Sequence, residues 1–278
     1  MKVILITGNT GFIGQNILNA NIFNNHKLIF INRKKTHHKK NYYNYNFKDF
    51  KKIKNYNIEL FIHLAAADPE NSNIKNIIEI NKKIDNILMC LHKKNKIKKI
   101  FFTSSNSIFK NNTNKIIKQN TIPRPREAYG ISKLKTEKLI KKNFNSFLIL
   151  RLPSVIGIGL KKGLIYRLSN QIKNKKPIKV YNIKEKFNNI LDIKDLIVII
   201  KSYFKETKKI KKIYNVCPND NILFLDLLKL IHKIFNKKLK IINCGISKYY
   251  KYYIFNKNNF FINMKFTKVK KIIRDNLI

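Results

Sequence analysis

Val3 to Ile6 form a short apolar run, followed by glycines at positions 8, 11 and 14 and then by a helical pattern from Gln15. An unbroken apolar run rich in β-branched residues is the pattern of a strand buried on both faces. Strand, glycine turn and helix in that order are what a dinucleotide-binding loop requires. Gly8 permits a tight turn, Gly11 lets backbone approach a pyrophosphate, and Gly14 lets the helix pack against the strand. The helix start then offers unpaired N–H groups and a positive dipole end to the phosphates. The chain has only eight glycines and spends three of them here, which favours a built loop over a flexible turn. Gly8, Thr10, Gly11, Phe12 and Ile13 are the residues expected to touch the dinucleotide from this loop.

With 278 residues and 44% hydrophobic content, the chain can bury a substantial core as one large domain or two intimate ones. No stretch reaches the roughly 18 uninterrupted apolar residues of a membrane-spanning helix. Met1-Lys2 runs straight into the first strand with no signal-peptide pattern, so a cytoplasmic location is expected. Cys90, Cys217 and Cys244 are far apart and odd in number, which fits neither a disulfide framework nor a zinc site; Cys90 and Cys217 stand in apolar surroundings and read as core thiols. No metal site is expected. The net charge of +44 raises the possibility of a nucleic-acid partner. Against it, the charge is nearly all lysine, spread along the chain without one aromatic-interleaved stripe. Runs such as Lys51 to Lys54 and Lys93 to Lys99 read as solvated surface. A positive field of this size suits anionic substrates such as nucleotide diphosphates.

Lys27 to Asn32 is a second strand. NAD-binding folds place an acidic residue at its end to hold the ribose 2′-hydroxyl. This chain has Asn32 and then Arg33. A missing carboxylate beside an arginine suits a 2′-phosphate, so NADP is favoured over NAD. Tyr42 to Phe47 reads as a weak strand, with Phe47 bordering the adenine. Leu60 to Leu64 is another buried strand that runs into Ala65-Ala66-Ala67, small residues that let backbone pass close to a ligand. His63 within it reads as a core histidine. A helix is expected over Ile74 to Lys94, then a strand over Ile97 to Thr103 that leads to Ser104-Ser105-Asn106-Ser107.

Tyr129 and Lys133 stand at i and i+4 of the next helical stretch and so share a face. A free tyrosine, with a pKa of about 10, is a poor base at neutral pH, and a nearby ammonium favours its phenolate. Ser105, at the carboxyl end of a strand where α/β sheets bind ligands, positions a substrate oxygen for proton exchange with Tyr129. Lys133 can also bind the nicotinamide ribose, and hydride transfer belongs to the cofactor. Further strands are expected at Phe147 to Leu152, Pro177 to Tyr181 and Ile213 to Val216. Helices are expected at Leu164 to Lys173, up to Phe204, and at Leu223 to Phe235. Residues 236 to 278 show no clear order of elements.

The stretches Thr7-Gly-Asn-Thr-Gly-Phe-Ile-Gly14, His63-Leu-Ala-Ala66, Asn81, Thr103-Ser-Ser105, Tyr129-Gly-Ile-Ser-Lys133, Arg151-Leu-Pro-Ser-Val-Ile-Gly157 and Asn189-Ile-Leu-Asp-Ile-Lys-Asp195 follow one another up to about residue 235. In this order and spacing they resemble the extended short-chain dehydrogenases/reductases, within them the NAD(P)-dependent nucleotide-sugar epimerase/dehydratase group. The resemblance implies an α/β fold: a Rossmann doubly wound parallel sheet with a small C-terminal α/β substrate-binding domain. It divides the chain into a dinucleotide domain, 1–155, and a substrate domain, 156–278, with elements near 190–216 returning to the first. It implies catalysis by Ser105, Tyr129 and Lys133. It assigns Leu64, Ala65, Ala66, Asn81, Thr103, Pro153, Ser154 and Val155 to the cofactor, the last three lining the nicotinamide. It assigns Ala67, Asn106, Ser107, Phe187 and Asn188, with Ser105 and Tyr129, to a nucleotide-diphosphate sugar. It also implies a homodimer formed through the helices carrying Asn81 and Tyr129.

Two departures narrow the reaction. Dehydratases of this group carry an Asp-Glu pair after the catalytic Ser/Thr, and this chain has Asn106-Ser107. The Cys/His pair of 3,5-epimerase–reductases is also absent. What remains is hydride and proton exchange at one carbon, by a 4-epimerase or a 4-keto reductase. A nucleic-acid-binding protein or a non-catalytic NADP-binding regulator on the same scaffold is the alternative.

Overall fold

The computed structural model describes residues 1–32, 42–50, 53, 55–67, 73–112, 115–237, 240–246, 254–255 and 263–277. The chain opens with β1 (Val3–Thr7), α1 (Phe12–Asn19), β2 (Lys27–Asn32), β3 (Tyr42–Asn46), β4 (Asn57–His63) and α2 (Ile74–Lys94). It continues with β5 (Lys96–Ile97), β6 (Ile100–Ser105), a 3₁₀ turn over Asn106–Phe109, β7 (Ile116–Ile117), α3 (Ala128–Asn143), β8 (Phe147–Leu152) and β9 (Ser154–Ile156). After these come α4 (Gly163–Lys173), β10 (Ile178–Val180), β11 (Lys186–Phe187), β12 (Ile190–Asp192), α5 (Ile193–Lys205) and β13 (Lys211–Asn215). The chain closes with β14 (Ile222–Leu223), α6 (Phe224–Phe235), β15 (Ile241–Asn243), β16 (Ile254–Phe255) and α7 (Val269–Leu277).

Contacts divide the chain into two compact units. The first is Met1–Asn111, Ile122–Arg151 and Ile197–Tyr214. Its sheet runs β13-β8-β6-β4-β1-β2-β3, with β5 added beside β4, and the pairs from β3 through β6 are parallel. The inner strands β1, β2, β4, β6 and β8 are near-continuous apolar runs because both faces are covered. Leu5, Ile29, Ile31, Phe61, Ile100 and Ile149 pack with Ile87, Leu88 and Leu91 of α2 and Ile140 of α3. The alternate residues point the other way, where Phe101 meets Tyr203 of α5 and Phe23 stacks edge-on against Phe204 at 5.2 Å. The result is the doubly wound Rossmann arrangement. Strand order reverses at β1, whose neighbours are β2 and β4, and ligands of such sheets sit at the carboxyl ends beside that reversal.

The second unit is Asn112–Thr121, Leu152–Leu196 and Asn215–Ile278. It has its own core, in which Ile165, Leu168 and Ile172 of α4 meet Leu227, Leu228 and Ile231 of α6 and Ile272 and Ile273 of α7. Small two-stranded pairings surround it, β9 with β12, β10 with β15, β11 with β14 and β7 with β16.

The structure corrects two readings. The lysine run at 93–99 is not all solvated: Lys99 is buried, and its ammonium donates to the carbonyls of Tyr203, Phe204 and Glu206. It thus satisfies carbonyls at and just past the end of α5, which lack intrahelical partners. Cys90 is exposed, on the outer side of α2, and only Cys217 is a core thiol.

Candidate active site

The loop between β1 and α1 takes its shape from what its glycines lack. Gly8 has φ of +76°, and a Cβ there would lie 2.8 Å from the amide nitrogen of Ala65, in the loop after β4. At Gly14 a Cβ would meet the Asn9 Cα at 2.4 Å. Gly11 is the N-cap of α1, with no side-chain cap and no acidic residue in the first turn. The helix start is therefore open to an anion. Thr7 ties the two loops together: its carbonyl accepts from Leu64 N at 3.2 Å and its hydroxyl from Ala65 N at 3.4 Å. The same hydroxyl bonds His63 Nδ1 at 2.8 Å, and His63 stacks on Phe102. Burial brings the His63 imidazole down to about 3, so it is neutral and structural.

Three polar groups here are buried without a partner among the described residues. They are both amide atoms of Asn32, Asn9 Oδ1 and Ser107 Oγ. A buried polar atom left unpaired costs roughly 1–3 kcal/mol, so each fits a place where a polar ligand completes the bonding. Asn32 closes β2 beside Phe47, whose N–H donates to the Asn32 carbonyl at 2.8 Å. Arg33 lies outside the described residues. Gly8, Thr10, Gly11, Phe12, Ile13, Leu64, Ala65 and Ala66 stand in the two loops beside β1 and β4, in the first unit. With Asn32 and Phe47 they fit a dinucleotide.

Ser105 ends β6 and caps the 3₁₀ turn, its Oγ accepting from Ser107 N at 3.1 Å. That bond orients the hydroxyl and leaves its proton to donate. Lys133, on α3, is buried, and its ammonium donates to the Thr103 carbonyl at 2.8 Å. Burial brings it down to about 8, while Asp85 and Glu137 pull the other way. The ammonium lies 4.8 Å from the Phe102 ring and 5.6 Å from the ring of Tyr129, one turn before it on α3.

What brings Tyr129 to this strand end is Gly130, which was not among the expected site residues. A Cβ at Gly130 would lie 2.8 Å from the Ser107 carbonyl, so only glycine lets α3 start against the turn after Ser105. Asn81 acts from α2: its Oδ1 accepts from Ala67 N and its Nδ2 donates to Ser132 Oγ, both at 2.8 Å. Its amide joins α2, α3 and the loop after β4. Glu137 was not expected at the site either. Buried on α3, it accepts from Ser104 Oγ and pairs with Arg151 of β8 at 2.9 Å. It thereby clamps the strand beside Ser105 to the helix that carries Lys133.

The remaining expected residues belong to the second unit, with Pro153, Ser154 and Val155 entering or within β9. Phe187 is a core side chain packed edge-on against Phe224. Asn188 is buried and holds the backbone of Phe255 from both sides, Nδ2 to its carbonyl at 2.8 Å and Oδ1 from its N–H at 3.0 Å. Both side chains are engaged inside that unit.

The sequence pattern of the NAD dependent epimerase/dehydratase family matches residues 4–217. The chain belongs to that family. Within it the fold is that of the extended short-chain dehydrogenases/reductases. The chain is 25% identical over 264 residues to ADP-L-glycero-D-manno-heptose-6-epimerase of Brachyspira hyodysenteriae (strain ATCC 49526 / WA1), covering 84% of this chain and 81% of that one. It is also 25% identical to dTDP-D-glucose 4,6-dehydratase of Dictyostelium discoideum, over 84% of this chain and 62% of that protein. Among solved structures it resembles UDP-N-acetylglucosamine 4-epimerase from Methanobrevibacter ruminantium M1 in complex with UDP-N-acetylmuramic acid, at 18% identity and TM-score 0.79, covering 99% of this chain and 97% of that one. The Bordetella bronchiseptica enzyme WbmH in complex with NAD+ superimposes with TM-score 0.80 at 16% identity, covering 100% and 97%. These likenesses in fold are not confined to the residues that the family pattern matches.

Proposed function

We propose that this family member is a nucleotide-sugar 4-epimerase or 4-keto reductase with Tyr129 as acid/base. The observation that carries the reading is the placement of Lys133, buried one helical turn from Tyr129 and bonded to the strand that ends in Ser105. Ser105 donates its free proton to the sugar oxygen and holds it against the phenol. Lys133 lowers the cost of the Tyr129 phenolate, which takes the hydroxyl proton as the carbon is oxidised and returns it on reduction. The bound nicotinamide supplies the hydride acceptor and donor. Asn106 and Ser107 stand where elimination of water needs an acid and a base, which speaks for proton and hydride exchange alone.

The cofactor class follows from the family, and the finer choice of NADP rests on Asn32 and Arg33. Asn32 carries no charge to repel a 2′-phosphate, and the arginine after it supplies one to attract it. Nucleotide sugars are bound by the similar solved proteins, and a nucleotide-diphosphate sugar is the proposed substrate. The groove between α2 and α3 is lined by the apolar Ile78, Ile131 and Leu139, which suits a homodimer formed through these helices.

The test is incubation with UDP-, dTDP- and GDP-linked sugars and 4-keto sugars, with NADH and NADPH compared. Turnover of one class is expected. Tyr129→Phe is expected to lower it by about 10²–10⁴-fold while dinucleotide titration is unchanged. Retained turnover in that variant rules the mechanism out, and equal use of both cofactors rules out the NADP preference.

A further inference from the structure

Lys133 is a buried ammonium whose hydrogen bond among the described residues goes to a neutral carbonyl, Thr103 O, and to no carboxylate. Burying a charge without compensation is costly. In a chain of net charge +44 with only 15 acidic residues, the surrounding field also opposes another positive charge. Two of those carboxylates nevertheless act on it, Glu137 from one turn along α3 and Asp85 from α2. Thr136 and Glu137 follow Lys133 at i+3 and i+4, on the same helix face. Thr136 Oγ1 donates to Asp85 Oδ1 of α2 at 2.8 Å, so Asp85 is fixed from the neighbouring helix. Glu137 is fixed by Arg151 and Ser104.

We propose that Asp85 and Glu137 are positioning residues that supply the counter-charge of Lys133, Asp85 from α2 and Glu137 from one turn along α3, leaving its remaining N–H groups for the ligand. A direct ion pair would hold the charge equally well and would occupy the donors that a ribose hydroxyl and the Tyr129 oxygen need. Fixing each carboxylate on another partner prevents that collapse. Asp85 carries the larger adjustable share, because Glu137 is already largely neutralised by Arg151. The other groups facing this centre agree. His63 on β4 is neutral, Lys135 on α3 and Lys82 on α2 flank Asp85 and add positive charge, and Arg151 on β8 is matched by Glu137. Burial raises Asp85 above the usual carboxylate range, with Thr136 and the lysines opposing.

The inference deepens the proposed reaction and rests on it for the role of Lys133, so the test reads a quantity that needs no sugar. Dinucleotide affinity is measured against pH in the parent, Asp85→Asn and Asp85→Glu. Asparagine keeps the bond from Thr136 and removes the charge, and glutamate restores the charge. In the parent, affinity is expected to weaken as pH rises through about 8. In Asp85→Asn that break is expected to move down by about one pH unit, with affinity at low pH unchanged, and Asp85→Glu moves it back. An identical break in all three proteins, or a loss of affinity in Asp85→Asn that is equal at every pH, overturns the proposal. If no sugar is turned over but the break moves, the charge arrangement stands and the reaction assignment falls. If sugar is turned over and the break does not move, the reverse holds.

Discussion

Gly130 shows how one missing side chain sets the chemistry. Its Cα faces the Ser107 carbonyl so closely that Gly130→Ala must lift the start of α3 off the turn that follows Ser105. Misplacement of a reacting group by about 1 Å costs on the order of a hundredfold. A loss of that size in kcat, with dinucleotide affinity retained, is expected from steady-state kinetics and titration. At Gly14 the obstruction is backbone of its own loop. Gly14→Ala is therefore expected to lose dinucleotide binding and to lower stability by roughly 1–3 kcal/mol, the usual cost of overpacking, as read by thermal unfolding. His63 carries a pH dependence of the fold. Its folded-state pKa of about 3 lies below the ordinary imidazole value of 6.5, so the unfolded chain binds the proton more readily. The stability it contributes is complete above the unfolded value and is lost as pH falls toward 3. Replacement by Gln is expected to flatten stability against pH over that window in denaturant titrations.

Elements join through a few buried polar clamps. Glu137 connects α3 to β6 through Ser104 and to β8 through Arg151. Arg151→Met leaves the buried Glu137 carboxylate unpaired. A loss of about 3–5 kcal/mol is expected from chemical denaturation, the range for breaking one side of a buried pair. The helices themselves are legible from periodicity. The expected helix over Ile74 to Lys94 coincides with α2, because Ile77, Ile84, Ile87, Leu88 and Leu91 all face inward. The strand expected over 97–103 is displaced and divided into β5 and β6. Residues 98 and 99 still bond β4 through their backbone, and the Lys99 side chain is buried against the end of α5, about a hundred positions away. The expected passage to the substrate domain near residue 155 compares with a division of contacts at 151/152. Ser154–Ile156 pairs with Ile190–Asp192, which draws β9 into the second unit.

The molecule as a whole carries a charge of +44, and net charge of this size opposes the compact state. Added salt shortens the reach of that repulsion to about 8 Å near 0.15 M. The melting temperature is accordingly expected to rise as a neutral salt is added from low ionic strength, and a falling or flat dependence would contradict it. The same field that strains the fold favours anionic ligands, which suits a site built for a dinucleotide and a sugar nucleotide. Among the described residues no helix is long and apolar enough to cross a membrane.

Short-range patterns are legible in the amino-acid sequence alone. The glycine spacing, the apolar strand runs, and the Tyr129/Lys133 and Ser105 motifs depend on neighbours one or two turns away, where periodicity and steric exclusion act. They are enough for the Rossmann class and the family. Tertiary structure decides what depends on distant partners. It pairs Asn188 with the backbone of Phe255 and Asn81 with Ala67 and Ser132, partners that no local pattern announces. It also puts Lys99 against the carbonyls of α5. An amide or an ammonium has the same sequence signature whether it meets a ligand or a backbone, because its hydrogen-bonding capacity is the same in both. Which partner it meets is set by what folding brings within about 3 Å.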